Sequence, residues 1–312
     1  MTKVLLSLSE VFVAENKKIT EELEKNGAKV TSIVTKKESL LDHVSDAEII
    51  ITGVEKIDRT IMDAAPKLKY ISKFGTGVDS IDLEEAAKRK ISVTNTPGQN
   101  ASSVADLAFG LLLCSSRHLA QSNEIVKNGG WNLLMGNDLE GKRLGIIGFG
   151  EIGKKVAKRA TGFDMDIVAY GNYKDEVAAD KLGVQFLELE ELLKTTDYLV
   201  ICTSLKKSTY HLLNKQNLSL MKKSAYLINI SRGDLIDEAA LIQCLKENKI
   251  KGAALDVFSK EPPNLELAQL DNIICSSHIG GATEECAERI GEVVIANIKN
   301  YMQKLPLTHV VV

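Results

Sequence analysis

No apolar run in this 312-residue chain approaches the roughly 18 residues that a membrane helix needs. The opening Met1-Thr2-Lys3-Val4-Leu5-Leu6 is too short an apolar run for a secretory signal. Neither sign of charge dominates: 39 Lys and Arg stand against 42 Asp and Glu, a net charge of −3. That balance excludes the basic footprint of a nucleic-acid or anionic-membrane binder. An anionic substrate would therefore need a locally positive site. The five cysteines (Cys114, Cys202, Cys244, Cys275 and Cys286) are scattered and odd in number, with no CxxC pair. Free thiols in a reducing cytoplasm are the expectation. The five histidines show no HxxH or HExxH spacing, so no metal enters the expected chemistry. Low-complexity segments and short-period repeats are missing as well.

What the chain does have is rhythm. Short apolar runs alternate with amphipathic stretches. Strands are expected at residues 4–8, 30–34, 48–51, 69–72 and 91–94, with helical patterns between them. The first helix, residues 15–26, stops at Gly27, which suits a left-handed C-terminal cap. A long helical pattern, residues 102–127, follows the Pro97-Gly98 break and ends at Gly129-Gly130. The rhythm then restarts, with strands expected at 143–147, 165–170, 198–202, 225–230, 252–255 and 272–275 and a helix at 151–160. A last helix is expected at 283–300, before an apolar end at Val310-Val311-Val312. Such alternation predicts an α/β protein of two doubly wound parallel-sheet units.

The strand at 143–147 runs directly into Gly148-Phe149-Gly150-Glu151-Ile152-Gly153, and a helix follows. This strand–turn–helix context is what the GxGxxG dinucleotide fingerprint requires. Gly148 makes the tight turn, Gly150 lets backbone approach a pyrophosphate, and Gly153 lets helix pack on strand. The helix start at Glu151 and Ile152 offers amide N–H groups and a positive dipole end to the phosphates. At the end of the next strand an acidic residue usually holds the adenosine ribose. Here the sequence reads Tyr170-Gly171-Asn172-Tyr173-Lys174. With Gly171 in that place, and Asn172 and Lys174 beside it, the cofactor is NAD or NADP, with a slight lean to NADP.

Three later segments put polar groups after apolar runs: Asn229-Ile230-Ser231-Arg232-Gly233, Asp256-Val257-Phe258-Ser259-Lys260-Glu261-Pro262 and Ser276-Ser277-His278-Ile279-Gly280-Gly281. Together with Gly75-Thr76-Gly77-Val78-Asp79-Ser80-Ile81-Asp82, Asn95-Thr96-Pro97-Gly98 and the glycine turn, they give the chain its resemblance to the D-isomer-specific 2-hydroxyacid dehydrogenases. The resemblance covers nearly the whole chain. It is strongest to short phosphoglycerate dehydrogenase-like and hydroxypyruvate or glyoxylate reductase-like members. It implies a Rossmann cofactor domain, residues 99–285, inserted in a flavodoxin-like substrate domain of residues 1–98 and 286–312.

The resemblance also implies roles. His278 is the general acid/base on the substrate oxygen, and Glu261 holds its imidazole, since a nearby carboxylate stabilises the imidazolium. Arg232 grips the substrate carboxylate with a planar fork. The loop Gly75, Thr76, Gly77 and Val78 offers backbone N–H groups to the same carboxylate. Cofactor contacts are implied at Thr76, Thr203, Ile230, Ser231, Asp256, Gly280 and Gly281. The implied activity is hydride transfer between NAD(P)H and a small 2-oxo or D-2-hydroxy acid such as phosphoglycerate, hydroxypyruvate or glyoxylate. The implied assembly is a homodimer through the cofactor domain, with the 102–131 region as its arm. Domain closure would hinge near Pro97-Gly98 and near 281–283.

Departures from the pattern narrow this. Phosphate-specific members tend to carry an Arg after the third strand, where this chain reads Gly53-Val54-Glu55-Lys56. Asp106 stands where the family often has Glu, a position read as structural. The chain stops too early for the regulatory domain of long serine-sensing members. Two other readings share the fold: a formate dehydrogenase, against which Glu261 and the lack of a Gln before His278 count, and an NAD-sensing corepressor, which would keep the same three residues.

Overall fold

A computed structural model describes all 312 residues. The chain divides into two compact units, one of Met1–Asn100 with Gly281–Val312 and one of Ala101–Gly280. In chain order the elements are β1 (Thr2–Leu8), α1 (Glu10–Glu15), α2 (Lys17–Lys25), β2 (Ala28–Val34), β3 (Ile49–Thr52), α3 (Arg59–Ala64), β4 (Tyr70–Lys73), α4 (Leu83–Lys88) and β5 (Ser92–Thr94). The second unit begins with α5 (Ala101–Arg117) and α6 (Leu119–Lys127), followed by β6 (Arg143–Ile147), α7 (Glu151–Thr161), β7 (Asp166–Tyr170), α8 (Glu176–Leu182) and β8 (Val184–Phe186). It continues through α9 (Leu189–Thr195), β9 (Tyr198–Ile201), α10 (Lys215–Leu218), β10 (Tyr226–Asn229), α11 (Glu238–Lys246), β11 (Gly252–Leu255), α12 (Leu265–Ala268) and β12 (Ile273–Cys275). The helix α13 (Glu284–Met302) returns to the first unit. None of the helices is long and apolar enough to cross a membrane.

Both sheets are wholly parallel. The first has the order β2-β1-β3-β4-β5, a flavodoxin-like winding, and the second β12-β11-β10-β9-β6-β7-β8. Their strands are apolar on both faces because helices cover both faces. Leu5 and Ile50 point into one cluster of the first unit, while Val4, Leu6, Ile49 and Ile51 point into the other. In the second unit Leu144, Ile146 and Val200 face one cluster, and Ile147, Leu199 and Ile201 face the opposite one. The winding of the second sheet reverses between β6 and β9, the switch point where open α/β sheets bind ligands.

The structure departs from the sequence-based expectation in several places. The expected helix at 102–127 is two helices. The Ser116 carbonyl accepts from Asn137 N at 2.8 Å, and His118 turns left-handed (φ 54°). The helix expected at 15–26 is present as α2, and the additional short helix α1 precedes it, separated by Asn16, whose side-chain amide bonds back to Phe12 O at 2.9 Å. The short edge strand β8 was not expected. The unit boundaries fall at 100/101 and 280/281 instead of 98/99 and 285/286, which puts Gly281 in the first unit. Gly27 does take the left-handed conformation, with φ 87°. The apolar end closes the open edge of β5, with Val93 N on Val312 O at 2.8 Å and Val311 N on Val93 O at 2.7 Å.

Candidate active site

The three glycines of the turn after β6 have separable reasons to be glycine. Gly148 has φ 98°, and a Cβ there would meet Thr203 N at 2.7 Å, just past the end of β9. A Cβ on Gly153 would lie 2.1 Å from Gly148 O, so only glycine lets α7 pack against the turn. Gly150 is different. Its φ of −82° suits any residue, and a Cβ there would meet nothing within 4 Å. Nothing inside the chain requires glycine at that position, and the space beside it is open. Gly150 is also the N-cap of α7, yet no side chain caps the helix, and the first amide to bond inward is Lys154 N, on Gly150 O at 2.9 Å. An open cradle at an uncapped helix start fits a dinucleotide pyrophosphate.

Gly171, at the end of β7, lies against the turn, for a Cβ there would sit 3.7 Å from Gly148 Cα. Asn172 and Lys174 are exposed, and the Lys174 ammonium stands 5.7 Å from the centre of the Phe186 ring, a cation–π distance. The carboxylate beside them, Asp175, caps α8 through Ala178 N and pairs with Lys154 at 3.3 Å. The Ala178 amide and Lys154 together outweigh burial and hold its carboxyl below the usual carboxylate range.

The end of β10 is braced from within. Asn229, fully buried, accepts from Ser231 N at 3.1 Å and donates from Nδ2 to Arg232 O at 2.8 Å. The Ser231 hydroxyl donates to Thr203 O, tying this turn to the segment after β9 that packs on Gly148. Gly233 packs directly on the next segment: a Cβ there would fall 1.9 Å from the Phe258 carbonyl carbon. Arg232 is thereby held against the stretch that carries Glu261. Its guanidinium donates from Nη1 to Ser231 O at 2.7 Å.

His278 meets Glu261 as expected. The imidazole Nδ1 lies 3.0 Å from both Glu261 Oε1 and Oε2. Nδ1–H therefore donates to the carboxylate, and Nε2 is the ring nitrogen left outside this pair. Burial pushes the Glu261 carboxyl up, but the His278 hydrogen bond and charge, the Phe258 N–H and the Arg232 charge outweigh it, and it ends below the ordinary value. His278 itself is left-handed, with φ 56°.

Asp256 explains how that conformation is kept. It is 1% exposed. Oδ1 accepts from Ser276 Oγ at 2.6 Å and Ile279 N at 2.8 Å, Oδ2 accepts from Gly280 N at 2.9 Å, and its carbonyl accepts from His278 N at 2.9 Å. The family resemblance implies only a cofactor contact for Asp256. Its spacing from Ser276 and Gly280 carries no signal of this clamp, which depends on the β11–β12 register.

The second unit thus gathers the turn glycines, Gly171, Thr203, Ile230, Ser231, Arg232, Asp256, Glu261, His278 and Gly280 at the strand ends of one sheet. Gly75, Thr76, Gly77, Val78 and Gly281 belong to the first unit. There Gly75 has φ 139°, and the N–H groups of Thr76, Gly77 and Val78 carry no backbone hydrogen bond. Asn95 Nδ2 on Thr76 O at 2.7 Å and Thr96 N on Gly75 O at 3.1 Å pin the loop. Asp106 pairs with Arg159 at 2.7 Å and joins α5 to α7, a structural contact.

Comparison with known proteins follows the same lines. The family model for the D-isomer specific 2-hydroxyacid dehydrogenase NAD binding domain matches residues 109–280. The chain is 44% identical over 270 residues to a glyoxylate reductase of Thermococcus litoralis, covering 83% of this chain and 82% of that one. It is 40% identical over 272 residues to a D-3-phosphoglycerate dehydrogenase of Methanocaldococcus jannaschii, covering 86% of this chain and 52% of that one. The solved structure of an Aquifex aeolicus D-lactate dehydrogenase, complexed with NAD and lactic acid, matches with a TM-score of 0.86 at 28% identity, over 96% of each chain.

Proposed function

This chain belongs to the D-isomer specific 2-hydroxyacid dehydrogenase family, and from that premise we propose that it reduces a small, unphosphorylated 2-oxo acid such as glyoxylate. The observation that carries the chemistry is the bidentate approach of Nδ1 of His278 to Glu261, which leaves Nε2–H to protonate the substrate's keto oxygen. The bound nicotinamide supplies the hydride. Arg232 takes the substrate carboxylate and so orients the carbonyl. As negative charge grows on the keto oxygen, the imidazolium neutralises it by giving up its proton. Glu261 stays ionised and carries no proton of its own. The amides of Thr76, Gly77 and Val78 are further donors to an anion.

Three facts favour an unphosphorylated substrate. Of the cations near the β3 loop, Lys56 is paired with Asp58 at 3.3 Å and Arg59 with Asp63 at 3.7 Å. Lys73 is buried and committed to Gly53 O and Ser80. Each of these cations already has an acceptor, and residues 53–56 hold no Arg.

For the cofactor we retain the slight lean to NADP. Gly171 presents no carboxylate to repel a 2′-phosphate, and Asp175 is occupied by Lys154 and a helix cap. We further propose a cytoplasmic homodimer, since all five cysteines are unpaired and the second unit exposes an apolar segment around Trp131. The test is a panel of 2-oxo acids, with and without phosphate, followed through nicotinamide absorbance with NADH and NADPH. Turnover of glyoxylate with a higher kcat/KM for NADPH is expected. Turnover confined to the phosphorylated acids would overturn the substrate, and a strong NADH preference would overturn the cofactor. A folded, cofactor-binding protein that turns over none of them would be a sensor, not an enzyme.

A further inference from the structure

Strand β4 ends in a charged residue where burial is nearly complete. Lys73 is 7% exposed and follows Tyr70, Ile71 and Ser72, all buried. An ammonium taken out of water is costly unless it is paired or hydrogen-bonded, and a methionine would fill the same space without that cost. Lys73 Nζ donates to Gly53 O, just past β3, and to Ser80 Oγ at 3.2 Å, just past the Gly75–Val78 loop. Its Cε lies 4.0 Å from where a Cβ on Gly75 would sit. The positive charge therefore lies beneath the loop whose Thr76, Gly77 and Val78 amides have no backbone acceptor.

We propose that Lys73 is a positioning residue for the substrate: a buried positive charge that strengthens the anion field of the Gly75–Val78 amides and fixes the loop by bridging Gly53 and Ser80. The inference rests on the reading that this loop takes the substrate carboxylate. A charge at this depth acts through protein, not bulk water, so its attraction for a carboxylate is large and only weakly screened by salt. The proposed role differs from that of Arg232, since Lys73 would act through the loop amides and not by gripping the carboxylate itself.

The experiment compares Lys73→Met, Lys73→Gln and Lys73→Arg with the parent protein. It uses glyoxylate as substrate, oxamate as an unreactive carboxylate analogue, and cofactor Kd and Tm as controls. Lys73→Met and Lys73→Gln should raise KM for glyoxylate and Ki for oxamate by about tenfold or more, with kcat within about twofold and cofactor Kd unchanged. Lys73→Arg should recover most of the loss. Lys73→Gln removes the charge but keeps a donor, so it decides the matter if the methionine variant fails to fold. An unchanged KM in Lys73→Gln, or a loss in kcat instead of KM, overturns the proposal. So does a Lys73→Arg variant as impaired as Lys73→Gln. Gly75→Ala separates the two levels. Because φ at Gly75 is 139°, alanine must distort the loop. A raised KM there with a normal KM in Lys73→Gln would remove Lys73 and keep the loop, whereas normal KM values in both would remove the loop reading itself.

Discussion

At the scale of single residues, the pair His278 and Glu261 makes the clearest demands. The Glu261 carboxyl lies below its ordinary value, so what the pair adds to stability is full above the ordinary carboxylate range. It fades as pH falls through the lowered value. Catalysis should follow the same carboxylate. Glu261→Gln removes the charge that stabilises the imidazolium, and a charge-assisted hydrogen bond of this kind is worth about 1.5–3 kcal/mol. Reduction by Glu261→Gln should therefore fall roughly 10- to 100-fold at neutral pH. A kcat/KM profile against pH that coincides with the parent's would remove Glu261 from its role. His278→Ala loses the proton donor itself and should cost about 100- to 10,000-fold in kcat while cofactor still binds. Arg232→Ala should show mainly as weakened capture of the 2-oxo acid, and steady-state kinetics on both variants separates the two effects.

Among the elements, the start of α7 carries a conflict between stability and function. Its N-cap is Gly150, which caps with no side chain and has empty space where a Cβ would stand. Gly150→Asp should fold normally and hold Tm or gain from a better cap, worth a few tenths of a kcal/mol over glycine. Its carboxylate would also occupy the phosphate cradle and repel the cofactor. Cofactor Kd, by fluorescence titration, should rise about a hundredfold, roughly 2.7 kcal/mol. Tight cofactor binding by a folded Gly150→Asp protein would show that the pyrophosphate sits elsewhere. This turn was legible in the sequence because strand, glycine spacing and helix all lie within a few residues of one another. The parallel strands were legible too, because burial on both faces makes them short unbroken apolar runs. The break at His118 was not: no glycine or proline marks it, and it depends on the Ser116 carbonyl meeting Asn137, a tertiary contact. Strand β8 was missed because three residues at a sheet edge, Val184-Gln185-Phe186, are too few to show a period. Arg232, Glu261 and His278 were found through the family resemblance, whereas the Asp256 clamp and buried Lys73 needed coordinates, since their partners lie on other strands and loops.

On the scale of the whole molecule, the largest unexplained cost is apolar surface left in water. Trp131 is 90% exposed, Leu133 93% and Met135 82%, on a segment without helix or strand. Leu119 and Val126 of α6 add further exposed apolar surface from the same stretch of chain. Scattered exposed leucines need no explanation, but three large side chains within five residues do. A second copy of the chain is the economical cover, because a two-fold axis buries the same patch twice. Each large apolar side chain buried is worth about 1.5–3 kcal/mol, so six of them offer roughly 9–18 kcal/mol before the entropic cost of association. Against an association cost of about 4–15 kcal/mol, the upper part of that range is needed to leave the roughly 8 kcal/mol of a micromolar dimer. The double variant Trp131→Asp with Leu133→Asp puts four carboxylates into that contact. Light scattering should then report the 34.1 kDa of one chain, whereas twice that mass is expected of the parent protein. Since these side chains are not part of either core, Tm of the second unit should fall only by what dimerisation had contributed, and the fall should vanish on dilution of the parent. A parent protein that scatters as a monomer, or a double variant that stays dimeric, would mean that the segment serves something other than a second copy.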